Sequence, residues 1–483
     1  MRFNIVIRLL GLLIISVALN MAGALAWALY FSEAAWRDIF QAMVLSVAIG
    51  GACMWLGRRS ARASLSRKEA MLMVGLGWVV AGLIGALPFY IGGQIPHYYD
   101  AFFETVSGFT TTGASILTDI EAMPKGLLFW RSYTHWLGGM GIIVLFVAMF
   151  PFLGVSGKKM YQFEVPGPDV GGLQPKIQTS AFILWGIYVG ISVLETLALK
   201  LAGMPLYDAM CHTFGTMATG GFSTKNTSIG FYDNPAIHII ITIFMIVAGA
   251  NFTLYYFLLK KRFKQVSKDT ELKTYLLIIA ASTIIFTAVL FAKGVYTSFG
   301  KAALDSWFNI VSIMTTTGYG TTDTDAWPML MKVWLLLLMF VGGCGGSTGG
   351  GIKVVRYVVL WRYTYTQIIN SYSPQRKCVI RLSGKPVNQS LIDRILGFFF
   401  LYLLVYGLGV LVVAVYGYDW PTTISSVAAC LNNIGPGFGL VGATGNYAFM
   451  HAFPKVVLSF LMIAGRLELF ALLIWFAPDF WRR

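Results

Sequence analysis

Charge is what this chain has least of. Asp, Glu, Lys and Arg make up 12% of its 483 residues, where soluble domains carry roughly 25%. With 57% hydrophobic residues and a mean hydropathy of +0.69, that scarcity excludes an ordinary soluble domain and leaves a polytopic membrane protein. Cysteine and histidine are also sparse. Cys53, Cys211, Cys344, Cys378 and Cys430 are scattered, which excludes a disulfide framework and a thiolate metal site. His97, His135, His212, His238 and His451 are equally dispersed. There is no His-Glu-x-x-His helix and no Ser/His/Asp grouping, so an intramembrane hydrolase has no residues to carry it. The expectation is no enzyme and no organic cofactor bound by this chain.

Long apolar runs are abundant. Stretches of about 20 residues, the length that spans a bilayer, fall near 4–30, 39–57, 70–93, 127–154, 180–203, 235–259, 274–293, 328–344, 392–417 and 454–478. These predict ten spans. The first follows Arg2 and Arg8 like a signal peptide, but a signal core is only about 7–15 residues, so it reads as an anchor. The net charge of +15 raises nucleic acid as a partner, and its distribution argues against one. With a cytoplasmic N-terminus, segments 1–8, 57–68, 157–176, 260–273, 353–394 and 482–483 hold 26 of the 36 Lys and Arg residues. That bias places both termini in the cytoplasm.

Glycine is not scarce, and its placement repeats. The string "TTTGYG" (315–320) nearly spells the TVGYG loop of a potassium-channel filter, which needs four strands around one axis. Gly318 follows Asp305 by thirteen residues in "LDSWFNIVSIMTTTGYG". The same spacing separates Asp100 from Gly113, Asp208 from Gly221 and Thr422 from Gly435. Asp and Thr are good N-caps, so each copy predicts a helix of about ten residues, roughly 15 Å, stopping half-way through the bilayer. The irregular backbone after it is tolerated at that depth only when buried in protein or lining a water-filled cavity. Four unrelated Gly-rich turns would not share a register. The reading is an all-α polytopic protein with a fourfold pseudo-symmetric repeat of span, half-helix, filter loop and span. A two-helix unit (1–66) precedes repeats at 67–160, 161–265, 266–375 and 376–483.

These four loops, the run "HWLGGMGII" (135–143), the run "GGCGGSTGGGIK" (342–353) and "GRLELF" (465–470) resemble the membrane subunit of bacterial Trk-type potassium uptake systems. That subunit belongs to the wider Trk/Ktr/HKT superfamily. The resemblance covers essentially the whole chain. It implies a K⁺-permeable homodimer in the bacterial inner membrane, gated by a cytosolic ring of Rossmann-type subunits that bind NAD(H), ATP or ADP. It implies a filter at Thr111, Thr112, Gly113, Thr219, Gly220, Gly221, Thr316, Thr317, Gly318, Asn433, Ile434 and Gly435, with K⁺ as the transported ion. K⁺ would be held at Thr111, Thr112, Thr219, Gly220, Thr316, Thr317, Asn433 and Ile434. The fourth loop, Asn433-Ile434-Gly435-Pro436-Gly437, departs most from the filter string.

Beneath the filter, small residues recur at Gly138-Gly139, Gly249-Ala250, Gly342-Gly343 and Ala464-Gly465; close helix packing accounts equally well for Gly138-Gly139. "GGCGGSTGGG" (342–351) puts seven glycines in mid-span, which no stable helix favours at about 1 kcal/mol each relative to Ala. Its spacing fails a phosphate-binding loop, because Ile352-Lys353 follows instead of Lys-Ser/Thr. A gate of Gly345, Gly346, Ser347, Thr348 and Gly349 with Arg466 is the expectation, and the resemblance implies the same. Arg466 reads as the one basic residue deep in a span, either paired with Glu468 or a carbonyl, or standing as a positive charge at the pore wall. The basic connection 353–394 and the Pro/Gly-rich 157–178 offer a docking surface for a soluble partner or for anionic lipid. An ion-coupled (H⁺ or Na⁺) symporter, or a less selective Na⁺/K⁺ transporter, is the competing function. Glu195 and Glu468 are the carboxylates available to a proton relay.

Overall fold

The computed structural model describes residues 1–58, 66–141, 177–373 and 379–482. The end of the predicted span 127–154, the connection 157–176 and Pro374 to Cys378 lie outside the described residues. Almost all regular structure is helical; the strands described are the pairs Arg381–Leu382 and Lys385–Pro386.

Helices Phe3–Asn20 and Ala22–Tyr30 form the predicted N-terminal anchor, and Trp36–Leu56 packs back along it. Glycines permit the approach: a Cβ on Gly11 would lie 2.6 Å from the Gly50 carbonyl oxygen, the small-residue contact expected between apolar helices. Helix Arg67–Ile91 begins with a capping box, in which the Ser66 hydroxyl accepts from Glu69 N and Ser66 N donates to the Glu69 carboxylate. The same carboxylate takes the Arg2 side chain at 3.0 Å, which ties the N-terminus to this helix.

Six helices are long and apolar enough to cross a membrane among the described residues, or up to eight if each bent pair is one span. Four of the ten expected spans are not single long helices among the described residues, for a physical reason. The run 328–344 is helical only over Met329–Met339, because the glycines that follow leave the helix. Lys125–Gly139 ends after 15 residues at the Met140 cap, before the undescribed residues begin. Two expected spans are broken. Pro235–Gly249 and Phe252–Leu259 meet at 95°, where Asn251 caps a new helix by accepting from Thr253 N. Ala452–Arg466 turns by 117° into Phe470–Phe476, through Glu468 and Leu469 at φ +52° and +68°.

Four short helices lie between these long elements: Tyr98–Phe109, Leu206–Met217, Phe299–Met314 and Trp420–Leu431. Beyond their first turns they are mostly buried. A helix too short to cross a bilayer whose C-terminal end is buried ends inside the protein, and that is where the candidate site forms.

Candidate functional site

All four short helices end in the same backbone geometry. Thr111, Thr219, Thr316 and Asn433 take left-handed φ values of +55°, +55°, +61° and +56°. The amides of the following residues reach back five positions: Thr112 N to Ser107 O, Gly220 N to Gly215 O, Thr317 N to Ser312 O and Ile434 N to Ala429 O, at 2.7–2.9 Å. This is the Schellman ending, usually built on glycine. Threonine there costs roughly 1–2 kcal/mol in backbone strain, and strain repeated at three threonines marks a functional constraint. Two positions on, Gly113, Gly221, Gly318 and Gly435 have φ +83°, +77°, +80° and +97°, which glycine alone adopts without penalty.

The four glycines close a ring. A Cβ added to Gly113 would overlap the Gly220 carbonyl oxygen, one on Gly221 the Thr317 oxygen, and one on Gly318 the Ile434 oxygen. One on Gly435 would lie 2.6 Å from the Thr112 oxygen, which returns to the first segment. Each of the twelve filter residues expected from sequence lies in these four chain ends. Asn433 Nδ2 donates to Thr112 Oγ1 at 3.0 Å and Met462 O at 2.9 Å, so the divergent fourth loop is stitched to the first by a side chain.

The thirteen-residue spacing has a different cause from the one expected. Asp100, Asp208, Asp305 and Thr422 are not N-caps: the caps are His97, Pro205, Ser298 and Asp419. Three of the four instead hold the strand leaving the ring. Asp208 accepts from Thr224 Oγ1 at 2.7 Å, Asp305 from Thr321 Oγ1 at 2.9 Å, and Thr422 Oγ1 from Leu440 N at 3.0 Å. Asp100 pairs with Lys455 at 2.7 Å. The register therefore fixes where each chain enters and leaves the ring.

Residues the sequence reading passed over back the ring. Arg131 pairs with Glu104 at 2.6 Å, both fully buried, and donates to Ser223 O. His135 accepts Phe222 N at Nε2, so its Nδ1 carries the proton given to Gly108 O at 2.7 Å. Tyr319 donates to His212 O, and Tyr447 to Gly435 O at 2.8 Å. The signal was present in part: four residues after each Asp stand Glu104, His212 and Asn309, a polar column that an apolar helix has no reason to carry. Outside the long helices, burial raises the Asp325 carboxyl above its usual range, although Gly439 N donates to it at 3.0 Å.

The glycine run lies directly beneath. Val341 and Ile352 bridge its ends, and Gly350 N donates to Thr316 Oγ1 at 2.6 Å. Cys344 N donates to Gly249 O and Phe252 N to Gly346 O, which satisfies the backbone opened at the 95° break. Arg466 donates to Thr348 O at 2.6 Å and to Gly138 O and Gly139 O at 2.7 Å each. Of the two partners expected for it, the carbonyls are found; Glu468 pairs with Arg356 instead. Arg466 is not the only buried base, because Arg131, Lys353, Arg356 and Lys455 are also buried. Lys353 Nζ bonds Gly349 O and Gly350 O inside the loop, so it does not belong to the basic cytoplasmic surface.

No group of three or more metal-ligating side chains occurs among the described residues, and the polar atoms converging on the ring are backbone oxygens, threonine hydroxyls and one asparagine. The "TrkH: Cation transport protein" family profile matches residues 36–483. The Trk system potassium uptake protein TrkH of Salmonella typhimurium is 39% identical over the full length of both chains. TrkG of Escherichia coli is 34% identical over 99% of each. The crystal structure of the potassium transporter TrkH from Vibrio parahaemolyticus superposes with a TM-score of 0.89 at 36% identity, covering all of both chains. With the matched profile, full-length relatives and a shared fold, this chain belongs to the TrkH family of cation transport proteins, and it is not an enzyme.

Proposed function

We propose that this chain is the ion-conducting membrane subunit of a bacterial potassium uptake system, with a single-chain filter made by its four ring segments. The closed circuit of contacts from Gly113 through Gly220, Thr317 and Ile434 back to Thr112 carries the reading. Backbone carbonyls in such a ring can replace a cation's water shell. The four helices end at it with their partial negative charges, so a monovalent cation is favoured where they meet. The ten-span, four-repeat arrangement and K⁺ coordination at Thr111, Thr112, Thr219, Gly220, Thr316, Thr317, Asn433 and Ile434 follow from this reading. So do a homodimer and cytoplasmic termini in the inner membrane.

Gly345 to Gly349 and Arg466 form the gate in this proposal, opened by a cytosolic Rossmann-type nucleotide-binding subunit. Passive conduction is preferred to symport. Glu468 is held by Arg356 and Glu195 is sealed against the second short helix near Thr216, so the two carboxylates do not make a relay. The test is flux of K⁺ and Na⁺ into proteoliposomes, wild type against Gly113→Ser. A side chain at φ +83° against the Gly220 oxygen deforms one quadrant, so the preference for K⁺ should fall while Na⁺ flux rises. Unchanged selectivity in a folded variant would refute the assignment.

A further inference from the structure

The gate loop has a fourth attachment, and it leads to the cytoplasmic surface. Helix Thr270–Ala292 begins at Asp269, whose carboxylate caps it by accepting from Leu272 N. The second residue of this helix, Glu271, is 8% exposed. A single oxygen of it, Oε1, accepts from Gly345 N at 2.7 Å and from Val355 N at 3.0 Å. Gly345 lies within the glycine run and Val355 four residues past its end, so one carboxylate ties the loop to the helix that follows it. Glycine backbone has no side chains to hold it in place and depends on such external partners.

The residue before Glu271 is bonded to a different element. Thr270 N donates to Ser383 Oγ at 3.1 Å, and Ser383 N donates to Thr270 Oγ1 at 3.2 Å. Ser383 and Gly384, both at positive φ, form the two-residue turn between Arg381–Leu382 and Lys385–Pro386, the favoured connection of a tight hairpin. Leu382 of that hairpin packs on the cluster containing Tyr275, Cys344 and Val354. A continuous path of contacts therefore runs from an exposed hairpin through Thr270 and Glu271 to Gly345 in the loop and Val355 after it.

We propose that Glu271 is a positioning residue that clasps the glycine loop shut, and that the hairpin 381–386, bonded to Thr270, holds Glu271 in that position. The inference rests on the loop being the gate. When the hairpin moves, Thr270 moves with it and Glu271 leaves the Gly345 and Val355 amides. The loop then retains Arg466, Thr316, the bonds to Gly249 and Phe252 and the Val341–Ile352 bridge, but loses the carboxylate that ties Gly345 to Val355.

The experiment is Rb⁺ uptake into proteoliposomes holding the full chain without any cytosolic subunit, expressed per folded protein. Glu271→Gln keeps an acceptor oxygen and should stay within about twofold of wild type. Glu271→Ala should raise uptake about tenfold, equivalent to ~1.4 kcal/mol, with K⁺ over Na⁺ preference unchanged. Glu271→Asp, shorter by one methylene, should fall between the two, and it carries the test if the alanine variant does not fold. Ser383→Ala should raise uptake less than Glu271→Ala, and the double variant should match Glu271→Ala alone, because both act on one path. Full additivity would overturn the role of the hairpin. Equal rises in the Gln and Ala variants would overturn the acceptor role. Arg466→Ala in the same assay separates failures: a rise there without one in Glu271→Ala overturns the clasp alone, and no rise in either overturns the gate itself.

Discussion

Arg466 is placed to act in two ways, and substitutions can separate them. Its guanidinium joins Thr348 O of the glycine run to Gly138 O and Gly139 O at the end of Lys125–Gly139. In the proposed gate its positive charge also stands at the glycine run below the ring, on Thr348 O. At an effective dielectric of about 20, a cation ~8 Å away is repelled by ~2 kcal/mol, or roughly thirtyfold in rate. A hydrogen bond to a charged donor adds ~1.5–3 kcal/mol to holding the loop. Arg466→Ala removes both and should raise partner-free K⁺ flux about a hundredfold or more. Arg466→Lys keeps the charge, but a single ammonium cannot serve carbonyls on two elements with the fixed fork of a guanidinium, so its rise should be nearer tenfold. Arg466→Gln keeps donors without charge and should sit between. The assay is flux per folded protein in proteoliposomes, with K⁺ over Na⁺ preference measured in parallel. Loss of folded yield together with flux would make Arg466 a structural tie and nothing more. No gain in any variant would refute the barrier.

Two further expectations have simple readouts. In a cysteine-free background, Asp323→Cys should react with an impermeant maleimide from outside the cell and Lys385→Cys should not; both positions are exposed, and the reverse pattern would overturn the topology. Arg131→Ala leaves the Glu104 carboxylate buried and unpaired, which costs ~3–5 kcal/mol; thermal unfolding in detergent should fall by several degrees and recover in part on adding Glu104→Gln. An unchanged midpoint would show that the pair carries no stability.

What the sequence displayed was the backbone skeleton of the ring. The glycines at 113, 221, 318 and 435 were legible because left-handed φ leaves few residue choices, whereas the left-handed Thr111, Thr219, Thr316 and Asn433 were found only by their register with those glycines. The Asp register was legible for the wrong reason: capping was assumed, whereas Asp208 and Asp305 hold the outgoing strand. The span count was less accessible. Hydropathy cannot see that a run bends, and the breaks at Asn251 and at Glu468-Leu469 depend on partners far along the chain. Burial of Arg131, Arg356 and Lys455 was invisible for the same reason, since each is stabilised by an acidic residue 27 to 355 positions away.

The contacts behind the ring obey a rule that no single repeat displays: each neighbouring pair of segments shares a side chain. His135, following the first short helix, bonds Gly108 O and Phe222 N, joining first to second. Tyr319 of the third donates to His212 O of the second. Asp325, beyond the third, accepts from Gly439 N of the fourth. Lys455 and Asn433 of the fourth reach Asp100 and Thr112 of the first. In a ring of four identical chains one residue would make all four contacts. Here the four junctions use different chemistry, so they diverge in sequence while the backbone they hold stays alike. The fourth loop follows from this: Asn433 can replace threonine because the left-handed position tolerates it, and its amide supplies the tie to the first segment. The least filter-like string of the four is thus the one whose side chain closes the circle.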